Sequence, residues 1–213
     1  MTAIQKTLRQ YLREATANAH DTLDHAMRDE AGWEKEADYA RFLSLQMAAR
    51  IPVEAWLETH APADLQPPRQ SDLIANDLAQ LGVEPPAAAA PFALEGAHHE
   101  TACLGAAWVL AGSSLGNRSI LAQLQKRGGA AAHWPHAFLG DDAMLDFWKV
   151  LRGRIECSAP ADQQHAAGHG AQAVFDHFIA HTLSRTTPAH PPAHTLAQTP
   201  ANGVADERLA RAS

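Results

Sequence analysis

Only two cysteines, Cys103 and Cys157, occur in 213 residues. They offer no disulfide framework and no metal-type spacing, and their apolar helical contexts predict small buried hydrophobes. Alternating runs of Val, Ile and Thr are also missing, so a β-sheet is not expected. No apolar stretch approaches the ~20 residues that would cross a bilayer. Basic residues are outnumbered: 17 Lys and Arg stand against 24 Asp and Glu, a formal charge of −7. That balance argues against nucleic acid as the main partner and means that an anionic ligand must be held by locally placed cations. The opening MTAIQKTLRQ is polar and reads straight into a helix, unlike a secretory leader, which makes the cytoplasm the expected location.

What is present is a helical protein. Apolar residues make up 46% of the chain, enough for one core, and alanine, leucine and glutamine recur at helical spacing. The pattern predicts a first helix from about Ile4 to Met27 with Leu12, Ala15, Ala19 and Leu23 on its apolar stripe. A second begins near Asp38, carries Tyr39, Phe42, Leu43, Leu45, Trp56 and Leu57, and should be kinked or interrupted at Pro52. Ser71 is the expected N-cap of a short third helix ending at Gly82. A proline-punctuated loop from Val83 to Gly96 then leads to a long helix over about His98–Lys126. Gly128, Gly129 and Pro135 mark the next loop, Asp141 or Asp142 caps a helix to Cys157, and a last helix spans about Ala161–Leu183. From Thr186 the sequence is rich in Pro, Ala and Thr. The expectation is one all-α domain over residues 1–185 followed by a disordered tail over 186–213.

Two segments carry candidate chemistry. Within the long fourth helix stand Gly112 and Gly116, each costing a helix interior roughly 1 kcal/mol relative to alanine. Either another helix packs closely there, or a ligand approaches the backbone. Ser113, Ser114 and Asn117 put short polar groups beside them, poor packing material but able to organise water. On the first helix, a wheel with Leu12 at zero puts His20 at about 80° and Arg13 at about 100°, at the edge of the apolar face, with Asp24 one turn beyond His20. An iron-binding imidazole is commonly oriented by an acceptor on its other nitrogen, and Asp24 is placed to be that acceptor. The same spacing also suits an ordinary His–Asp pair at the margin of a core helix. His25 falls at about 220° and is a poor candidate for the same iron.

Glu14-Ala15-Thr16 followed by Ala19-His20 resembles the proximal-helix motif of heme oxygenases. Gly112-Ser113-Ser114-Leu115-Gly116-Asn117 resembles their distal helix, above all in the bacterial biliverdin-producing branch associated with bacteriophytochromes. Tyr39-Ala40-Arg41-Phe42-Leu43, and Phe147-Trp148-Lys149 before Glu156, are similar to further stretches of that family. The resemblance covers about residues 8–183.

It implies a multihelical heme oxygenase-like fold in which His20 is the proximal ligand of heme iron and Asp24 orients it. Arg13 and Lys149 would meet the propionates, and the backbone around Gly112 and Gly116, with Ser113 and Asn117, would form the distal face. Heme would be both cofactor and substrate, with oxygen and an electron donor as co-reactants. The products would be biliverdin, carbon monoxide and ferrous iron, and a bilin-accepting photoreceptor is an implied partner. Mammalian members carry an aspartate where Ser113 stands. Asn117 replaces a small residue common in the bacterial branch, which leaves the position of ring opening undetermined. A heme carrier of the same fold, and a helical interaction protein without heme, are the alternative readings. The remaining histidines, including the i,i+4 pairs His165/His169 and His177/His181, read as solvent-facing or interfacial. His98, His99, His190 and His194 read as loop or tail residues.

Overall fold

The chain adopts the helical organisation expected of it. In the computed structural model, which describes residues 6–94 and 100–184, six α-helices follow one another. They are α1 (Leu8–Glu30), α2 (Glu36–His60), α3 (Ser71–Gln80), α4 (Glu100–Arg127), α5 (Asp142–Ile155) and α6 (Ala161–Ser184), with short 3-10 turns at Ala63–Leu65 and Gly129–His133. Among the described residues there is no strand, only an isolated bridge between Thr7 and Ser158. The expected tail over 186–213, and His98, His99, His190 and His194, lie outside the described residues.

Local chemistry explains where the observed helices depart from the expected ones. α1 starts at Leu8, where Thr7 and Gln10 form a reciprocal capping box, while Ile4, the expected start, lies outside the described residues. It runs past Met27 to Glu30 and closes on Gly32, whose φ of +71° lets its N–H turn back to the Met27 carbonyl. Ala15, expected on the buried stripe, is exposed, and Leu23 is half-buried. Thr16 is buried instead, its hydroxyl donating to the Leu12 carbonyl.

Pro52 does not break α2. It has no N–H for the carbonyl of Ala48, and that carbonyl accepts from Ala89 N–H in the proline-rich loop. The neighbouring Ala49 carbonyl takes a hydrogen bond from His177 Nε2. α2 buries residues on all sides, from Tyr39 and Leu43 to Arg50 and Glu54, as a central helix must. Ser71 is the first residue of α3 and not its cap. The buried Glu54 carboxylate caps from across the core, accepting Gln70 N–H, Ser71 N–H and the Ser71 hydroxyl. Asp141 caps α5 as expected, accepting from Ala143 and Met144 N–H. Cys103 is buried, but Cys157 is exposed, because α5 ends at Ile155 and leaves it in the connecting turn.

α6 forms the platform on which α1 and α4 both pack, while α3 lies on α2 and α5 on α4. The α4–α6 crossing is set by glycine. A Cβ at Gly105 would stand 1.9 Å from the Ala167 carbonyl oxygen, and one at Gly170 would stand 2.1 Å from that of Ala102. Gly168 and Gly170 sit within a continuous α6.

Candidate functional site

A cavity of about 690 Å³ opens between α1 and α4, with α6 beneath it and α2 and α5 contributing walls. That volume lies in the range of small-molecule and cofactor pockets. Its surface brings together Arg13, His20 and Asp24 from α1, and Gly112, Ser113, Gly116 and Asn117 from α4; of the residues singled out from the sequence for this site, Ser114 and Lys149 do not line it. The flank of α1 that carries Arg13, His20 and Asp24 therefore forms one side of the cavity.

His20 reaches this side with its ring edge-on to Phe175 of α6, centroids 5.9 Å apart. Its Nδ1 lies 3.4 Å from Asp24 Oδ2. At that distance the carboxylate steers the ring without a strong bond, and it leaves Nε2 for another partner. The imidazole is 59% exposed in the open cavity. His25 turns away, its Nδ1 paired with the Asp21 carbonyl.

On α4 the two explanations offered for Gly112 and Gly116 separate. A Cβ at Gly116 would meet nothing within 4 Å, and one at Gly112 would touch only a ring carbon of Trp148 at 3.8 Å. Among the described residues no other helix's main chain comes within 4 Å of a Cβ at either glycine; the close helix contact of α4 belongs to Gly105. The glycines leave a strip of helix without side chains facing the cavity. Beside it, the Ser113 hydroxyl donates to the Leu110 carbonyl and accepts from Arg50 Nη2 at 3.1 Å. Ser114 is buried away from the cavity with its hydroxyl on the Ala111 carbonyl. Asn117 is 5% exposed, and its Nδ2 has no partner among the described residues.

Lys149 does not line the cavity. α5 turns Trp148 toward it, and the next residue, 100° further round, points outward, where its ammonium pairs with Asp146 at 2.8 Å. The cations at the lining are Arg9, Arg13, Arg28 and Arg50. Arg50 was not singled out from the sequence. The available signal was a lone cation inside the apolar run from Met47 to Trp56 of α2. It is 1% exposed, with its guanidinium over the Phe138 ring at 5.3 Å. Burial pushes its pKa down from the ordinary value, and the Glu54 and Asp141 carboxylates act against that shift. Trp108, Trp148, Phe175 and Phe178 supply apolar walls that sequence reasoning also left unassigned. Among the described residues no group of three or more His, Cys, Asp or Glu could hold a metal ion, and no helix is long and apolar enough to cross a membrane.

No family model matches the chain. A heme oxygenase from Xanthomonas campestris pv. campestris is 35% identical over 127 residues, which cover 58% of this chain and 73% of that protein. Among solved structures, the NO- and CO-bound heme oxygenase from Neisseria meningitidis shares the fold. It superposes with a TM-score of 0.63 at 20% identity, covering 84% of this chain and 91% of that one. With the all-helical architecture and more than two thirds of a curated relative aligned, the chain belongs to the heme oxygenase family.

Proposed function

We propose that this chain binds heme in the cavity between α1 and α4 and opens the macrocycle to biliverdin, consuming oxygen and reducing equivalents and releasing carbon monoxide and ferrous iron. One observation carries the reading. A single imidazole borders the cavity from α1, while a side-chain-free strip borders it from α4. Heme fits these residues. The open space over Gly116 admits a flat ring, the aromatic walls suit its faces, and the arginines suit its two carboxylates.

When bound, heme supplies both the redox-active iron and the carbon that is oxidised. The protein's share is binding, orientation and exclusion of water. His20 Nε2 would hold the iron, with Asp24 steering the ring through Nδ1. The α4 main chain at Gly112 and Gly116, free of side chains toward the cavity, would let the macrocycle lie close against the helix. Ser113 and Asn117 bring polar groups to the cavity lining beside the glycines; the Asn117 amide is a buried donor without a partner among the described residues. Arg13 at the cavity takes a propionate, alongside Arg9 and Arg28. Lys149 joins them only by leaving Asp146.

In this reading the domain extends to residue 185, with the segment from 186 outside the chemistry. Of the finer expectations, the electron donor rests on the resemblance to the heme oxygenase family, the photoreceptor that accepts the bilin on the likeness to its bacteriophytochrome-associated branch, and the cytoplasmic location on the sequence alone. The test is direct. Hemin is added to the purified chain, an electron donor is supplied under air, and biliverdin absorbance should grow as the Soret band decays. A stable oxygen complex that never progresses would favour the carrier reading instead.

A further inference from the structure

We propose that Arg50 is a positioning residue that makes the cavity wall at Ser113 a binding place for a small anion, or for negative charge developing on a heme ligand. The inference rests on the heme reading above. It starts from an imbalance: Arg50 carries a buried charge with no ion pair within 4 Å among the described residues. A buried cation is costly unless it is paired and hydrogen-bonded. The two carboxylates near enough to influence it are committed elsewhere. Glu54 is bound to Gln70 and Ser71 at the head of α3, and Asp141 to the head of α5 and Gln70 Nε2.

The guanidinium itself is under-used. Nη2 donates to Ser113 and makes a long 3.5 Å contact with Gln46 Oε1, while Nε and Nη1 have no partner among the described residues. Both residues that accept from it, Ser113 and Gln46, line the cavity. A residue kept only to tie α2 to α4 would need neither the charge nor three spare N–H directions. The Ser113 hydroxyl donates to its own helix and accepts from Arg50, so its orientation is fixed by the charge behind it. The positive potential therefore emerges beside the glycine strip, where a ligand on the heme iron would sit. The carboxylates at the lining, Asp21 and Asp24, are on α1 across the cavity.

Fluoride is the probe. The ferric heme complex of the full chain is titrated with fluoride at fixed pH, for wild type and for Arg50→Met, Arg50→Lys and Ser113→Ala. Removing the charge in Arg50→Met should weaken fluoride at least tenfold, the scale of a unit charge acting over several ångströms at an effective dielectric near 20. Arg50→Lys should recover most of that loss, and Ser113→Ala should change affinity less than Arg50→Met does. Circular dichroism and the His20-ligated Soret band report whether each variant is folded and loaded. If Arg50→Met does not fold, the wild type still decides. A distal positive potential should lower the C–O stretch of its ferrous carbon monoxide complex below that of imidazole–heme in an apolar solvent. Equal fluoride affinity in loaded wild type and Arg50→Met, or an unlowered C–O stretch, overturns the Arg50 inference alone. A wild type that gives no Soret complex with hemin overturns the heme reading and this inference together.

Discussion

Replacing Gly116 by alanine should have opposite effects on the empty protein and on its heme complex. α4 is a continuous helix through this position, and the added Cβ would meet nothing within 4 Å. The substitution therefore removes only the helix-interior cost of glycine, about 1 kcal/mol, and should stabilise the apoprotein by that amount. For a chain of this size the gain corresponds to a rise of about 2–4 °C in Tm, readable by circular dichroism. With heme the sign reverses. A methyl group on the strip lifts the ring by up to about 1.5 Å, a carbon–carbon bond length, while the bond to His20 on the other side cannot stretch to follow. Hemin affinity should fall about tenfold for Gly116→Ala and collapse for Gly116→Leu, with helicity retained. Gly105→Ala is the control, since its Cβ would stand 1.9 Å from a backbone oxygen. It should destabilise the apoprotein by about 1–3 kcal/mol. Unchanged hemin affinity in Gly116→Leu would refute the close-approach argument; a destabilised Gly116→Ala apoprotein would refute the claim of open space.

His20→Ala should abolish the histidine-ligated Soret band yet leave apoprotein stability within about 0.5 kcal/mol, because the ring is more than half exposed. Glu54→Ala leaves Gln70 N–H, Ser71 N–H and the Ser71 hydroxyl without their acceptor. It should cost about 2 kcal/mol or more in urea unfolding, with Glu54→Gln milder. His177 is half-buried, and burial lowers its pKa from 6.5, opposed by its bond to the Ala49 carbonyl. The folded state thus resists protonating a ring that the unfolded chain protonates. Its contribution is complete above 6.5 and is lost as pH falls from 6.5 toward the lowered folded value. Apoprotein melts at about pH 7.5 and about pH 5.5 should show a drop that His177→Gln reduces; an equal drop in the variant would remove this account.

Much of the site was legible because its residues break local rules. Gly112 and Gly116 interrupt a run of helix formers, and His20 stands on the shoulder of an apolar stripe with Asp24 one turn on. Those features need no partner to be seen. The roles of Gly105 and Gly170 were not legible, since only the meeting of α4 and α6 brings each within reach of the other's backbone carbonyls. Pro52 misled for a related reason: the donor that rescues Ala48 arrives from Ala89, forty-one residues away. Ser71 looked like a cap because nothing local announces Glu54. Arg50 is the largest omission, as a cation among apolar neighbours can be read as buried only once α2 is known to be central. Lys149 was carried by resemblance, and the rotation of α5 assigns the inward position to Trp148.

The central claim is geometric, and a crystal structure of the heme complex tests it most directly. The account predicts iron bonded to His20 Nε2 at about 2 Å, a distance typical of imidazole–metal bonds. It also predicts the opposite face of the ring against the α4 main chain between Gly112 and Gly116. Heme bound outside this cavity, or iron held by a residue other than His20, would contradict it.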